Sequence, residues 1–237
     1  VKAMRGTFSG GTMASMMNLI KEARADRNVA RVLGHPYALN PADERKGPDG
    51  SDQRGIRFDE AAGAWTAPFI MAGINTKVVR RSHALLGYPY SRDFRYHESM
   101  MMGKGAKGWL SAFALSGGLG GFVLTASLGP TRKLLQKFGL PKPGEGPNKT
   151  QRETGFIDLR QCGELPDGTI IRTRITGDRD PGYGSTSKML AESGVCLAKD
   201  ELPSSGGVLT PAAAMGDALL GRLQEHAGLK FEILDDA

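Results

Sequence analysis

The sequence predicts an α+β fold, with a mixed, mostly antiparallel sheet and helices packed on one face. Three observations predict it. Strand-like alternation comes in hairpin pairs, long helical periodicities are interspersed between them, and no regular βαβα rhythm runs through the chain. At 237 residues the chain is read as one domain, with exposed loops at 36–55 and 141–153.

The elements follow in order. Val1–Arg5 reads as a short strand. A helix then spans Gly11–Ala25, with Met13, Met16, Met17 and Ile20 at i, i+3, i+4 and i+7. Val29–Leu33 is a short apolar piece. The Pro-, Gly-, Asp- and Arg-rich stretch from Pro36 to Gly55 reads as a long exposed loop. Gly55–Thr66 suits a hairpin or two edge strands. Pro68 is expected to open a helix that Gly87 closes, with Met71, Ile74, Val78 and Leu85 as its inner stripe. Arg92–Met100 alternates like a strand. Pro141–Glu153 has no apolar anchor beyond its prolines and reads as a linker. Phe156–Leu165 and Thr169–Thr176 flank the turn Pro166-Asp167-Gly168. In the second strand Ile171, Thr173 and Ile175 face one way, Arg172 and Arg174 the other. Thr210 and Pro211 start a last helix with Met215, Leu219 and Leu223 inside. Gly228 ends it, and Leu229, Phe231 and Ile233 alternate in a final strand.

Bulk charge narrows the function classes. Lys and Arg number 31 against 25 Asp and Glu, a formal net charge of +6. The positive charge is scattered, apart from a cluster around Lys104–Lys137, and few aromatics interleave with it. No nucleic-acid partner is expected, because that binding needs a concentrated basic face. Cys162 and Cys196 are read as reduced and structural, and no signal-peptide pattern opens the chain, so a cytoplasmic protein is expected. His35, His83, His97 and His226 stand far apart without metal-ligand spacing, so no metal is expected. No G-x-S-x-G elbow supports a serine hydrolase.

Three segments carry candidate chemistry. Gly177–Asp200 runs from a strand end through Gly182-Tyr183-Gly184 into a helix. Ser185 or Thr186 is the expected cap, and Met189, Leu190, Ser193, Cys196 and Leu197 form one helical face. Unpaired backbone donors beside Tyr183 and Lys188 would suit an anion or a carbonyl oxygen, and an ordinary pre-helix loop is the alternative. Gly103–Gly108 is a literal G-x-G-x-x-G between a strand and an apolar helix. It lacks the acidic residue a ribose needs about 20 positions on, where Arg132 and Lys133 fall instead. Trp109–Leu128 has no charge over twenty residues, flanked by Lys104, Lys107, Arg132 and Lys133. Burial in the core or against a partner is the first reading of that stretch, and lipid contact the second.

Taken together, the strand-GTFSGGT-helix start, DPGYGSTSKMLAESGVCLA and GGVLTPAAAMGDALLGRL resemble the C-terminal part of the saccharopine dehydrogenase-like oxidoreductases, in the branch that includes trans-acting enoyl reductases. The resemblance implies an upstream Rossmann domain holding NAD(P), with this chain as the substrate and oligomerisation domain. The chain opens on Val1, already inside a strand, which reads as a fragment cut from something upstream. Carried over by position, Ser9, Gly10, Gly11 and Thr12 form the family's helix-entry loop, and Gly182, Tyr183 and Gly184 its Gly-Tyr-Gly loop. The resemblance thus implies substrate binding by Ser9–Thr12, Gly182 and Gly184, with Tyr183 donating or orienting a proton, and the local loop chemistry adds Lys188. It also implies a homodimer, a small-molecule or acyl substrate, and no cofactor or turnover in this chain alone. The alternative is a lipid- or membrane-associated module without catalysis, using Trp109–Leu128.

Overall fold

The computed structural model describes all residues except 132–134, 136–140, 143, 204–205 and 235–237. Arg132, Lys133 and Lys137 of the expected basic cluster therefore lie outside the described residues. The strands in chain order are β1 (Ala3–Arg5), β2 (Arg57–Asp59), β3 (Ala64–Pro68), β4 (Ser99–Gly103), β5 (Phe156–Glu164), β6 (Ile170–Gly177) and β7 (Leu229–Leu234). The helices are α1 (Gly10–Ala25), α2 (Arg27–Gly34), α3 (Ala72–Leu85), α4 (Gly105–Ser127), α5 (Lys149–Thr154), α6 (Gly184–Lys199) and α7 (Pro211–His226). The fold class is α+β, and each pairing among the described strands is antiparallel. The chain divides into two compact units. The first takes Val1–Thr7, Glu60–Ala62 and Pro147–Ala237, and the second Phe8–Asp59 and Gly63–Gly146.

The first unit is built on a four-stranded sheet in the order β1-β5-β6-β7. The β5–β6 hairpin turns at Pro166-Asp167-Gly168, where Gly168 takes a φ of +84° and Asp167 accepts the Thr169 N–H at 2.9 Å. On one sheet face Asp158 accepts from Arg160 at 3.1 Å and Arg174 at 3.0 Å. Burial raises the Asp158 pKa, but the two guanidiniums outweigh it and hold the carboxyl below its usual value. That face is ion-paired within itself. Helices α6 and α7 pack through buried Cys196, Met215 and Leu219. Arg222 of α7 clamps Asp200 through two bonds of 2.6 Å and reaches Glu192 at 3.3 Å. Along α6 the expected apolar face is only partly inside, with Leu190 73% and Leu197 58% exposed. Thr210 caps α7 and Pro211 begins it, as expected.

One segment expected as a linker is ordered differently. Lys149–Thr154 forms α5 behind a capping box, in which Asn148 accepts from the Gln151 N–H and the Gln151 side chain takes the Asn148 N–H.

The second unit has a three-stranded sheet in the order β2-β3-β4. Ser9 caps α1, whose Met13 and Met17 are buried. Two expectations shift here. Pro68 ends β3 rather than opening a helix, and α3 starts at Ala72. Arg92–Met100 is strand only from Ser99. Before it, Phe94 and Tyr96 gather in an aromatic cluster with His83, which favours ring packing over sheet pairing. The Pro36–Gly55 stretch is irregular, as expected, apart from a short 3-10 helix at Ala42–Glu44, but it is not uniformly exposed: Tyr37 and Asn40 are buried.

Helix α4 forms, yet it is not a core helix. Its inward positions are Gly108, Ala112 and Ala126, small enough for the backbone to approach β3 and β4. A Cβ on Gly108 would lie 2.2 Å from the Gly103 carbonyl oxygen, so only glycine fits that turn. Trp109, Leu110, Phe113, Val123 and Leu124 point outward, and just 11% of its most apolar stretch is buried.

Candidate functional site

The inward face of α3 is polar, opposite to the apolar stripe expected from the sequence. Ala72, Thr76, Lys77, Arg80 and His83 are buried while Ile74 is 54% exposed. Segments distant in sequence cover this face and supply acceptors for Arg80 and Thr76. Arg80 donates to Asp49 Oδ2 at 2.6 Å, the Pro36 carbonyl at 3.2 Å, the Tyr96 carbonyl at 2.8 Å and Thr76 Oγ1 at 3.2 Å. Its guanidinium also lies over the Tyr37 ring, 5.5 Å from the centroid. Thr76 in turn donates to Asp52 at 3.0 Å. A buried guanidinium is tolerable here because its donors are met.

His83 belongs to the frame rather than the chemistry. Its Nε2 accepts the Tyr90 N–H at 3.2 Å, and its ring stacks on Tyr90 and meets Tyr88 and Phe94. Burial pushes its pKa down, which keeps the imidazole neutral and accepting.

This frame holds one side of a cavity of about 220 Å³. Leu33, Pro36 and Phe69 provide apolar wall, and Asp52, Gln53, Arg54 and Lys77 provide polar groups. Lys77 is 8% exposed and donates to the Gly73 carbonyl at 2.5 Å. Burial drives its pKa down, Arg80 adds to that, and Asp52 offsets part of it. A desolvated ammonium beside apolar wall suits a carbonyl or carboxylate oxygen, and its lowered pKa suits proton donation. Sequence reasoning missed Lys77, because its signal was one lysine on a helix face that looked solvated.

The residues singled out from the sequence fall in both units. In the first unit, the Gly182–Gly184 loop already holds an anion. Asp180 is fully buried and accepts from the N–H groups of Tyr183 at 2.7 Å, Gly184 at 3.3 Å and Thr7 at 3.3 Å. Its carboxylate does at the start of α6 what Ser185 or Thr186 was expected to do. The Ser185 and Thr186 hydroxyls instead donate to the Arg179 and Pro181 carbonyls. The donors expected to be unpaired at Tyr183 and Gly184 are therefore taken. The Tyr183 side chain is 42% exposed and Lys188 half-buried. Gly182 is held close, since a Cβ there would lie 3.0 Å from the Thr7 carbonyl oxygen.

In the second unit, Ser9 Oγ accepts the Thr12 N–H at 3.1 Å, and the Gly10 N–H goes to the Glu145 carbonyl at 2.9 Å. Two of the loop's backbone donors are thus used within the protein, leaving less for a ligand than the Ser9–Thr12 pattern suggested.

Gly103–Gly108 does form a strand-to-helix turn, with φ of +98° at Gly103 and +62° at Gly105. Its strand β4 pairs antiparallel with β3. A dinucleotide fingerprint belongs to a parallel βαβ crossover, so these residues do not fit a nicotinamide dinucleotide.

Comparison with known proteins gives the class of relative. The chain is 43% identical over 234 residues to a provisionally named trans-acting enoyl reductase of Mycobacterium tuberculosis, covering 94% of this chain and 56% of that protein. It is 38% identical over 229 residues to a trans-acting enoyl reductase of Mycobacterium bovis, covering 91% and 54%. A Mycobacterium ulcerans protein of the same name is 35% identical over 228 residues, covering 92% and 54%. The chain spans a little over half the length of these relatives. No family model matches it, and no solved structure does.

Proposed function

We propose that the chain is the substrate-handling and oligomerisation part of an NAD(P)-dependent enoyl reductase, within the saccharopine dehydrogenase-like oxidoreductases. The observation that carries this reading is the 43% identity to a named enoyl reductase across 94% of the chain. The relatives' names supply the reaction class: reduction of an enoyl double bond, performed in trans. In this reading the nicotinamide cofactor is held outside the two units, in a preceding Rossmann domain, and the chain by itself turns nothing over. The substrate is an acyl thioester or similar small molecule, the assembly a homodimer, the setting cytoplasmic.

Two side chains are candidates to hold the acyl oxygen or supply the proton. Lys77 has a cavity, burial and a lowered pKa in its favour. Tyr183 has an exposed ring and the place in the Gly-Tyr-Gly loop that the resemblance marks. Lys77 is the stronger candidate for oxygen binding, because the Gly184 and Gly10 N–H groups are already bonded within the protein.

The test is to join the chain to the portion of a relative that it does not match, and to follow NADPH oxidation with a 2-enoyl thioester. Turnover by the joined protein, and none by the chain alone, is the expected result. Lys77→Met should raise KM or lower kcat by about tenfold or more. Tyr183→Phe with unchanged turnover would remove Tyr183 from the chemistry. No reduction by a folded joined protein overturns the reading.

A further inference from the structure

We propose that α4 is an in-plane docking helix whose occupant is an anionic lipid surface. Its most apolar stretch has a mean hydropathy of 1.4, yet only 11% of it is buried. Trp109, Leu110 and Phe113 near its start, and Val123, Leu124 and Leu128 near its end, are all 43% to 62% exposed. A water-facing helix would place charges among such residues, and α4 has none beyond Lys107.

The charge around it selects the occupant. The described residues from 99 to 144 include no Asp or Glu, and Lys104 and Lys107 stand at the start of α4. Lys104 and Lys107 are exposed in the turn that leads into Trp109 and Leu110. Cations at a helix N-terminus oppose the helix dipole, and the helix has no side-chain cap to offset them. They do not serve helix stability. Basic groups bordering an aromatic and aliphatic surface match an anionic headgroup layer above acyl chains. A second copy of the chain would set these lysines against their own like charges.

The packing decides the orientation. At about 1.5 Å per residue, 23 residues are long enough to cross a hydrocarbon core of about 30 Å. Both ends of α4 are tied to one unit, however. Gly108 seats against Gly103 of β4, and Arg24 of α1 donates to the Ser127 carbonyl. Crossing would draw β3, β4 and α1 into the hydrocarbon with it. The helix therefore lies along the surface, small face toward its own sheet and large face toward lipid.

The experiment is flotation of the purified chain with vesicles of equimolar phosphatidylcholine and phosphatidylglycerol, against vesicles of phosphatidylcholine alone. Binding about tenfold stronger to the anionic vesicles is expected. Leu110→Ser with Phe113→Ser should lower binding to both by about tenfold, and Lys104→Ser with Lys107→Ser should abolish the preference. These side chains are exposed, so thermal melting should stay unchanged and exclude misfolding. Three results overturn the proposal. One is no flotation. Another is flotation that neither variant alters. The third is a dimer in sedimentation equilibrium that the Leu110/Phe113 variant splits, without any vesicle binding by either form.

Discussion

Arg80 donates through Nε to Asp49 Oδ2 at 2.6 Å, across 31 positions of sequence and with both side chains at least nine-tenths buried. The pair joins α3 to the irregular segment ahead of β2. Asp49 also accepts the Tyr96 N–H, so a third segment is drawn to the same carboxylate. Arg80→Met leaves a buried carboxylate facing an apolar side chain. The expected loss is about 3–5 kcal/mol in urea denaturation. Adding Asp49→Leu to Arg80→Met should recover part of it, because the second change removes the stranded charge. If the double variant is no better than the single, the pair is not what holds these segments.

Asp180 offers a different test. Asp180→Ala strands the N–H groups of Tyr183, Gly184 and Thr7, and removes the anion from the start of α6. About 2–4 kcal/mol should be lost, read as a lower denaturation midpoint. Tyr183→Phe should change stability by less than about 0.5 kcal/mol, because it keeps the ring and removes only the hydroxyl of an exposed residue. The contrast separates the loop's architecture from any chemistry of the phenol.

Glycine has two opposite meanings within α4. Gly108→Ala forces a methyl onto the Gly103 carbonyl and should destabilise by about 1–3 kcal/mol or more. Gly121→Ala meets open space and should stabilise by up to about 1 kcal/mol through helix propensity. Thermal melting of the two single variants measures both. Equal effects would contradict the packing described for β4 and α4.

Acid should loosen the α6–α7 pair. Bonding to Arg222 holds the Asp200 pKa at about 2, against an ordinary 3.8. A carboxylate depressed on folding stabilises at pH above its unfolded pKa, and that contribution fades as pH falls through the folded value. The stability difference between the native chain and Arg222→Met should therefore be full above about pH 4 and shrink toward pH 2. Denaturant titrations at several pH values check it. A difference independent of pH over that window would mean that Arg222 acts by packing alone.

Local signals carried much of the architecture. Thr210-Pro211 announced α7, and Pro166-Asp167-Gly168 announced the β5–β6 turn, since caps and turns depend on residues within a few positions. The capping box from Asn148 to Gln151 was equally local and readable in principle, but the prolines and glycines around it suggested a linker. The α3 face was not readable. Whether Thr76, Lys77 and Arg80 point inward depends on Asp49, Asp52 and Tyr96, which no helical periodicity locates. The Gly-Tyr-Gly loop shows the same limit. Its shape was legible, but the use of its donors rested on Asp180 turning back into the loop. For α4, the sequence showed the uncharged stretch Trp109–Leu128 and left open what lies against it.

The Asp180 carboxylate also has a kinetic side. Tethered three residues from Tyr183, it is an intramolecular ligand for the start of α6 at an effective concentration far above that of any free metabolite. A dissolved phosphate or carboxylate would have to displace a competitor that never diffuses away. The loop is in that sense pre-saturated: selective toward its own chain, indifferent to the anions around it, and fixed in one conformation before any substrate arrives.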